Sequence, residues 1–167
     1  IQKAAEEVLE YIFREKVDPN SRAQVAIVIM SPDGAVRAMI GGRQLQALGA
    51  FNRSTQALRQ PGSAFKPIVY AAALEQGYKP NDLIRDEAFE IKIPGSGSWA
   101  PQNNEKKFNG IVSLTDALSK SLNIPAIKLA QRVGMENVGQ ISKDLGINSK
   151  ISTNPAVALG VSETTLL

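Results

Sequence analysis

Pro67 is the residue that most narrows what this chain can fold into. Proline has no N–H and is tolerated in a helix only in its first turn. The run Ile68-Val69-Tyr70-Ala71-Ala72-Ala73-Leu74-Glu75-Gln76 therefore predicts a helix that begins just before Pro67. Pro61-Gly62 ahead of it is a turn signal, and Gly77 stands where a helix C-cap is expected. Ser63 then falls at or beside the helix N-terminus, where unpaired N–H groups and the positive dipole end favour developing negative charge. Lys66 follows three residues later, close to one helical turn, so the two side chains can meet. A serine at that place is equally an ordinary cap, and such a lysine an ordinary solvated charge. The flanking residues separate the two readings. Phe65, Ile68, Val69, Ala72 and Ala73 place apolar groups on nearly every side of the helix, which predicts burial. Burial disfavours an ammonium, and moving a lysine from about 10.4 to near 7 takes roughly 4–5 kcal/mol, within reach of a desolvated site. Ser63 with Lys66 is thus a candidate activated nucleophile.

Composition limits the chemistry further. A length of 167 residues fits one modest domain or a large piece of one, and 43% hydrophobic with 21% charged residues can support a core. There is no histidine, which removes the commonest general base and the commonest metal ligand together. A serine nucleophile here must be activated by lysine, a carboxylate or tyrosine. No cysteine is present either, so disulfides and thiolate sites are excluded. Neither a metal nor a cofactor is expected. The net charge of +3 is spread over scattered residues, with Lys106-Lys107 the only adjacent basic pair, so no nucleic-acid partner is expected. No window reaches transmembrane length and the start of the chain lacks a signal-peptide pattern. A membrane is expected to be met only through a segment outside these residues.

Taken in order, residues 1–16 read as an amphipathic helix, with Ile1, Ala5, Val8, Leu9 and Ile12 on one face. Gln24 to Met30 is a β-branched apolar run that predicts a strand buried on both faces. Ser31-Pro32-Asp33-Gly34 is a hairpin turn, and Ala35 to Ile40 returns as the second strand, closed by Gly41-Gly42. Arg43 to Gln60 has no clean period and is polar apart from Leu45, Leu48, Phe51 and Leu58. Tyr78 to Asp86 reads as turn-rich, Ala88 to Ile93 as a short strand, and Pro94-Gly95-Ser96-Gly97-Ser98 as a flexible loop. Trp99-Ala100-Pro101-Gln102-Asn103-Asn104 reads as a structured loop in which Trp99 serves first for packing. Ser113 to Asp116 has capping-box spacing and opens a helix to about Leu122. Asn123-Ile124-Pro125 breaks that helix and starts another, with Asn123 near its N-cap. That helix runs to Gly134, and a third from Met135 to Leu145 stops at Gly146; the tail from Ile147 to Leu167 looks irregular. Ser121-Leu122-Asn123 thus sits at a helix junction, where side chains can face a cleft. Ser152-Thr153-Asn154 has the same spacing but no helix leading into it, and is discounted.

Arg59-Gln60-Pro61-Gly62-Ser63-Ala64-Phe65-Lys66-Pro67, followed by Ser121-Leu122-Asn123-Ile124-Pro125-Ala126, resembles the transpeptidase domain of bifunctional class A penicillin-binding proteins. Phe51-Asn52-Arg53, Trp99-Ala100-Pro101-Gln102-Asn103 and Ala158-Leu159-Gly160 are similar as well, and the likeness covers about Gln24 to Gly160. It implies an α+β class, the penicillin-binding/serine β-lactamase-like transpeptidase fold, with an antiparallel sheet and a helical lobe. Residues 1–167 would form part of one such domain: a leading helix in 1–20, the sheet hairpin in 24–42 and a mainly helical lobe in 43–167. The resemblance makes Ser63 the nucleophile, Lys66 its base, Ser121 a proton relay and Asn123 a holder of Lys66 and substrate. Trp99 and Asn103 are the candidate substrate contacts.

The implied reaction is D,D-transpeptidation, cross-linking peptidoglycan stem peptides outside the cytoplasm through an acyl-enzyme that β-lactams also form. The chain departs from the family in one respect, since no Lys-Ser/Thr-Gly follows the second motif. A fragment is therefore expected, inactive alone and completed by the missing C-terminal part of the domain or by a second copy. A β-lactamase or D,D-carboxypeptidase, in which water resolves the acyl-enzyme, and a non-catalytic penicillin-sensing or scaffold domain remain the alternative readings.

Overall fold

The alanine-rich run behind Pro67 forms a buried helix, and the rest of its half of the molecule packs around it. The computed structural model describes residues 1–44, 49–93 and 97–167. Leu45 and Leu48, two of the apolar residues noted in the connection after the hairpin, and Pro94, Gly95 and Ser96 of the expected loop lie outside the described residues. The chain forms two compact units, Ile1–Arg59 with Thr164–Leu167, and Gln60–Glu163. Of the connection after the hairpin, the described residues 43–44 and 49–59 fall in the first of these units.

In the first unit, α1 (Gln2–Glu15) carries its buried Leu9 on the predicted apolar face. The Gln2 side chain pairs with the backbone of Met39 through an N–H donated to its carbonyl at 3.1 Å and one accepted from its amide at 2.8 Å. Strands β1 (Ile27–Met30) and β2 (Val36–Ile40) form the expected antiparallel hairpin. The expectation that β1 is buried on both faces fails: Ile27, Val28 and Ile29 are half-buried and Met30 is exposed. Its run of β-branched residues reflects strand propensity, while β2 is its one paired neighbour among the described residues. A short helix, α2 (Arg53–Gln56), is capped by Asn52, whose side chain accepts from Ser54 N at 3.0 Å. The fully buried Ser54 hydroxyl donates to Ile40 O at 2.7 Å, and Arg59 and Thr164 exchange two backbone hydrogen bonds.

In the second unit a 3-10 turn, Gly62–Phe65, leads into α3 (Lys66–Glu75), which places Pro67 in the first turn as its missing N–H requires. Further along the chain come β3 (Leu83–Asp86), β4 (Ile91–Ile93), β5 (Gly97–Trp99) and β6 (Gly110–Ser113). They are followed by α4 (Leu114–Ser119), α5 (Asn123–Val133) and α6 (Met135–Asp144). Phe65, Val69, Ala72 and Ala73 of the central segment share one apolar core with Ile127, Leu129, Ala130 and Val133 of α5. Antiparallel pairs β3–β6 and β4–β5 give the α+β class.

β3 lies where the sequence reads as turns. Its exposed positions are Leu83 and Arg85 and its buried ones Ile84 and Asp86, so the strand shows no apolar–polar alternation. The expected irregular tail also contains structure. Asn154 accepts from Ala156 N at 2.9 Å and opens a 3-10 turn, Pro155–Leu159, whose Val157 and Ala158 are fully buried.

Candidate active site

Ser63 lies in the 3-10 turn just before α3, with its side chain exposed. Gly62 before it has φ +57, and Gly160, at φ +71, ends the second 3-10 turn against it. Gly62 N donates to Gly160 O at 3.2 Å, and a Cβ on Gly160 would collide with the backbone of Gly62. The two glycines allow one chain to lie directly on the other beneath Ser63.

Lys66 begins α3 and is only 1% exposed. Its Nζ donates to Ser121 O at 2.5 Å, Ser121 Oγ at 3.1 Å and Asn123 Oδ1 at 2.7 Å. Three acceptors match the three protons of an ammonium. Burial nevertheless lowers its pKa from 10.5 to about 8, short of the value near 7 that the apolar helix suggests. The neutral oxygens around the nitrogen favour the charged form and act against complete desolvation. Among the described residues, no hydrogen bond joins Ser63 Oγ to Lys66 Nζ; the amine faces the later junction instead.

That junction rests on a helix stop. Ser121 N donates to Leu118 O and Leu122 N to Ala117 O, both at 2.9 Å, the bond pair that closes a Schellman motif. The same pair closes α3 at Gly77 and α6 at Gly146, with φ of +90 and +94. At α4 the left-handed position holds Ser121, at φ +52. A side chain there costs about 1–2 kcal/mol, and here it turns both the hydroxyl and the carbonyl of Ser121 to Lys66.

Asn123 is the first residue of α5 and not its N-cap, as the sequence suggests. The cap comes from Asn103, whose Oδ1 accepts from Asn123 N at 2.8 Å and Ile124 N at 3.2 Å. Relieved of that task, the Asn123 side chain donates through Nδ2 to Gln102 O at 2.8 Å and turns Oδ1 to Lys66. Asn103 is buried, and its Nδ2 donates to the Asp86 carboxylate at 2.8 and 2.9 Å and to Lys107 O at 2.8 Å. Every hydrogen-bonding position of its side-chain amide is occupied inside the fold, so a direct contact of Asn103 with substrate would fall to its backbone. Trp99 is half-buried and packs against the apolar core, as its packing reading anticipates.

The structure thus brings Lys66, Ser121 and Asn123 together, sets Ser63 one turn ahead of them, and puts Asn103 behind them. Asp86 and Gly160 belong to this arrangement without having been singled out. Gly160 lies in a stretch that resembles the family, whereas a lone aspartate in an apparent turn carries no signal. Among the described residues no group of three acidic, His or Cys side chains could hold a metal, and no helix is long and apolar enough to cross a membrane.

The family model described as the penicillin binding protein transpeptidase domain matches residues 25–164. Penicillin-binding protein 1A of Rickettsia felis is 43% identical over 143 residues, covering 84% of this chain and 18% of that protein. Its namesake in Neisseria lactamica is 39% identical over 139 residues, 80% of this chain and 17% of that one. The chain therefore spans under a fifth of the length of these relatives. The crystal structure of penicillin-binding protein 1A from Haemophilus influenzae superimposes with a TM-score of 0.73 at 34% identity, over 86% of this chain and 21% of the other. PonA1 of Mycobacterium tuberculosis in complex with penicillin V gives 0.77 at 26% identity, over 98% and 45%. A match spanning most of the sequence, joined to the same architecture, makes this chain a member of the penicillin-binding protein transpeptidase-domain family.

Proposed function

We propose that the intact protein is a serine-type D,D-transpeptidase that cross-links peptidoglycan stem peptides outside the cytoplasm and is acylated by β-lactams. The observation that carries this reading is the buried Lys66 amine held between Ser121 and Asn123, 55 and 57 residues away in the chain. In the neutral form Lys66 has two N–H groups and one lone pair. The N–H groups can stay on Ser121 O and Asn123 Oδ1 while the lone pair receives a proton. Ser63 Oγ attacks the carbonyl of the penultimate D-Ala, its proton passing to Lys66 as the new C–O bond forms. The Ser63 N–H donates to no protein group among the described residues and is available to the developing oxyanion. When the C–N bond breaks, Ser121 relays the proton to the departing D-Ala amine. A second stem-peptide amine then attacks the acyl-enzyme and releases Ser63. Asn123 fixes the amine and, through its Nδ2, the adjoining 102–104 loop.

The test is covalent labelling of the intact protein by a fluorescent penicillin. Wild type becomes labelled and Ser63→Ala does not. Labelling that survives this substitution would move the nucleophile elsewhere and overturn the reading.

A further inference from the structure

Asp86 is fully buried, yet no basic side chain pairs with it among the described residues. Its carboxylate instead accepts from N–H groups: Asn103 Nδ2 reaches both oxygens, and Asn109 N at 2.8 Å and Asn109 Nδ2 at 2.6 Å reach Oδ2. A buried carboxylate is costly, so a fold that retains one must surround it with donors. This one has a directional consequence. A carboxylate only accepts, so it forces the Asn103 amide to present its NH2 side to Asp86. The Asn103 carbonyl must then face the opposite way, onto the first two N–H groups of α5. Reversing the amide would set oxygen against oxygen at Asp86 and N–H against N–H at the helix.

We propose that Asp86 is a positioning residue for the Lys66 site, acting through Asn103 on the start of α5 and so on Asn123. The chain of contacts is continuous: Asp86 to Asn103, Asn103 to Asn123 N, and Asn123 Oδ1 to Lys66 Nζ. If Asn103 loses its orientation, the N–H groups of Asn123 and Ile124 need another acceptor. Without one, the first turn of α5 loosens, and Asn123, its first residue, moves with it. That movement would draw Oδ1 away from Lys66. Asp86 thereby fixes where Asn123 meets the amine.

This inference rests on the transpeptidase reading, and its test keeps the two apart. Acylation of the intact protein by a fluorescent penicillin is first shown to require Ser63; its persistence in Ser63→Ala would end that reading whatever Asp86 does. With the requirement established, Asp86→Asn preserves volume but turns a donor toward Asn103 or Asn109. Its acylation rate per folded molecule should fall about tenfold or more, since small misplacements of a reacting group are costly. The midpoint of its pH–rate profile should move down, because the amine loses an acceptor that favours its charged form. The exchange Asp86→Asn with Asn103→Asp restores one donor facing one carboxylate and should recover much of the rate. Asn109→Ala, at an exposed position that leaves the backbone donor intact, should show a smaller loss with the same displacement and serves if Asp86→Asn does not fold. Wild-type rate and midpoint in Asp86→Asn or, if it does not fold, in Asn109→Ala would overturn the proposal. So would a loss that leaves the midpoint fixed and that the exchange cannot rescue, since that marks a structural role alone.

Discussion

Ser121 carries two duties that pull against each other. The position after α4 must be left-handed for the Schellman bonds to close, which favours glycine, as at Gly77 and Gly146. It must also bring a hydroxyl to Lys66, which glycine cannot do. Comparing two substitutions separates the duties, because Ser121→Ala and Ser121→Gly lose the same hydroxyl and differ in backbone freedom. Relief of the left-handed strain, offset by the greater unfolded-state entropy of glycine, leaves Ser121→Gly about 0.5–1 kcal/mol more stable than Ser121→Ala. Thermal or denaturant melts of the two variants measure the difference. A Ser121→Ala variant more stable than Ser121→Gly by about 0.4–1 kcal/mol would mean that the backbone at Ser121 is unstrained. Both variants should label slowly with a penicillin, so any gain in stability comes with a loss of chemistry.

At the scale of elements, the site is the meeting of three segment ends: the turn into α3, the stop of α4 and the start of α5. Two of these were legible because their signals are local. Pro67 dictates a first turn, and Asn123-Ile124-Pro125 marks the break after α4. The cap on which α5 begins was not, since it is Asn103, twenty residues away and oriented by an aspartate on β3. The turn beneath Ser63 depends in the same way on a distant piece of chain. A methyl group on Gly160 meets the Gly62 backbone, and its φ of +71 already disfavours a side chain. Gly160→Ala should therefore cost about 2–5 kcal/mol by strain and overpacking together. It should also slow penicillin labelling even at temperatures where the protein stays folded, as Ser63 shifts with Gly62. Gly139 in α6 has open space around it and is the matched control: Gly139→Ala should stabilise by up to about 1 kcal/mol. Unimpaired labelling in folded Gly160→Ala would show that the close approach does not position Ser63.

For the molecule as a whole, the cost of keeping Lys66 inside is borne by folding and is readable as a dependence of stability on pH. The pKa of Lys66 is near 8 when folded and near 10.5 when unfolded, so between these values the unfolded chain binds more protons. Stability then rises with pH across that interval. Below pH 8 the full penalty is present, and from pH 8 to 10 about 2 kcal/mol of it is relieved. The other perturbed groups leave this window clear. Asp33, held low by Ser31 and the Ala35 amide, titrates far below it. Tyr70, whose pKa is raised by burial, favours its neutral form when folded, so it begins to oppose the trend only above about pH 10. Denaturant unfolding at pH 7, 8, 9 and 10 should show the rise in wild type and a flat profile in Lys66→Met. The absolute stability of that variant is less telling, because removing the amine also leaves Ser121 O, Ser121 Oγ and Asn123 Oδ1 without their donor. The slope isolates the amine. A wild-type profile as flat as that of Lys66→Met would mean that Lys66 is no more deprotonated inside the protein than outside it, and the base assigned to Ser63 would be lost with it.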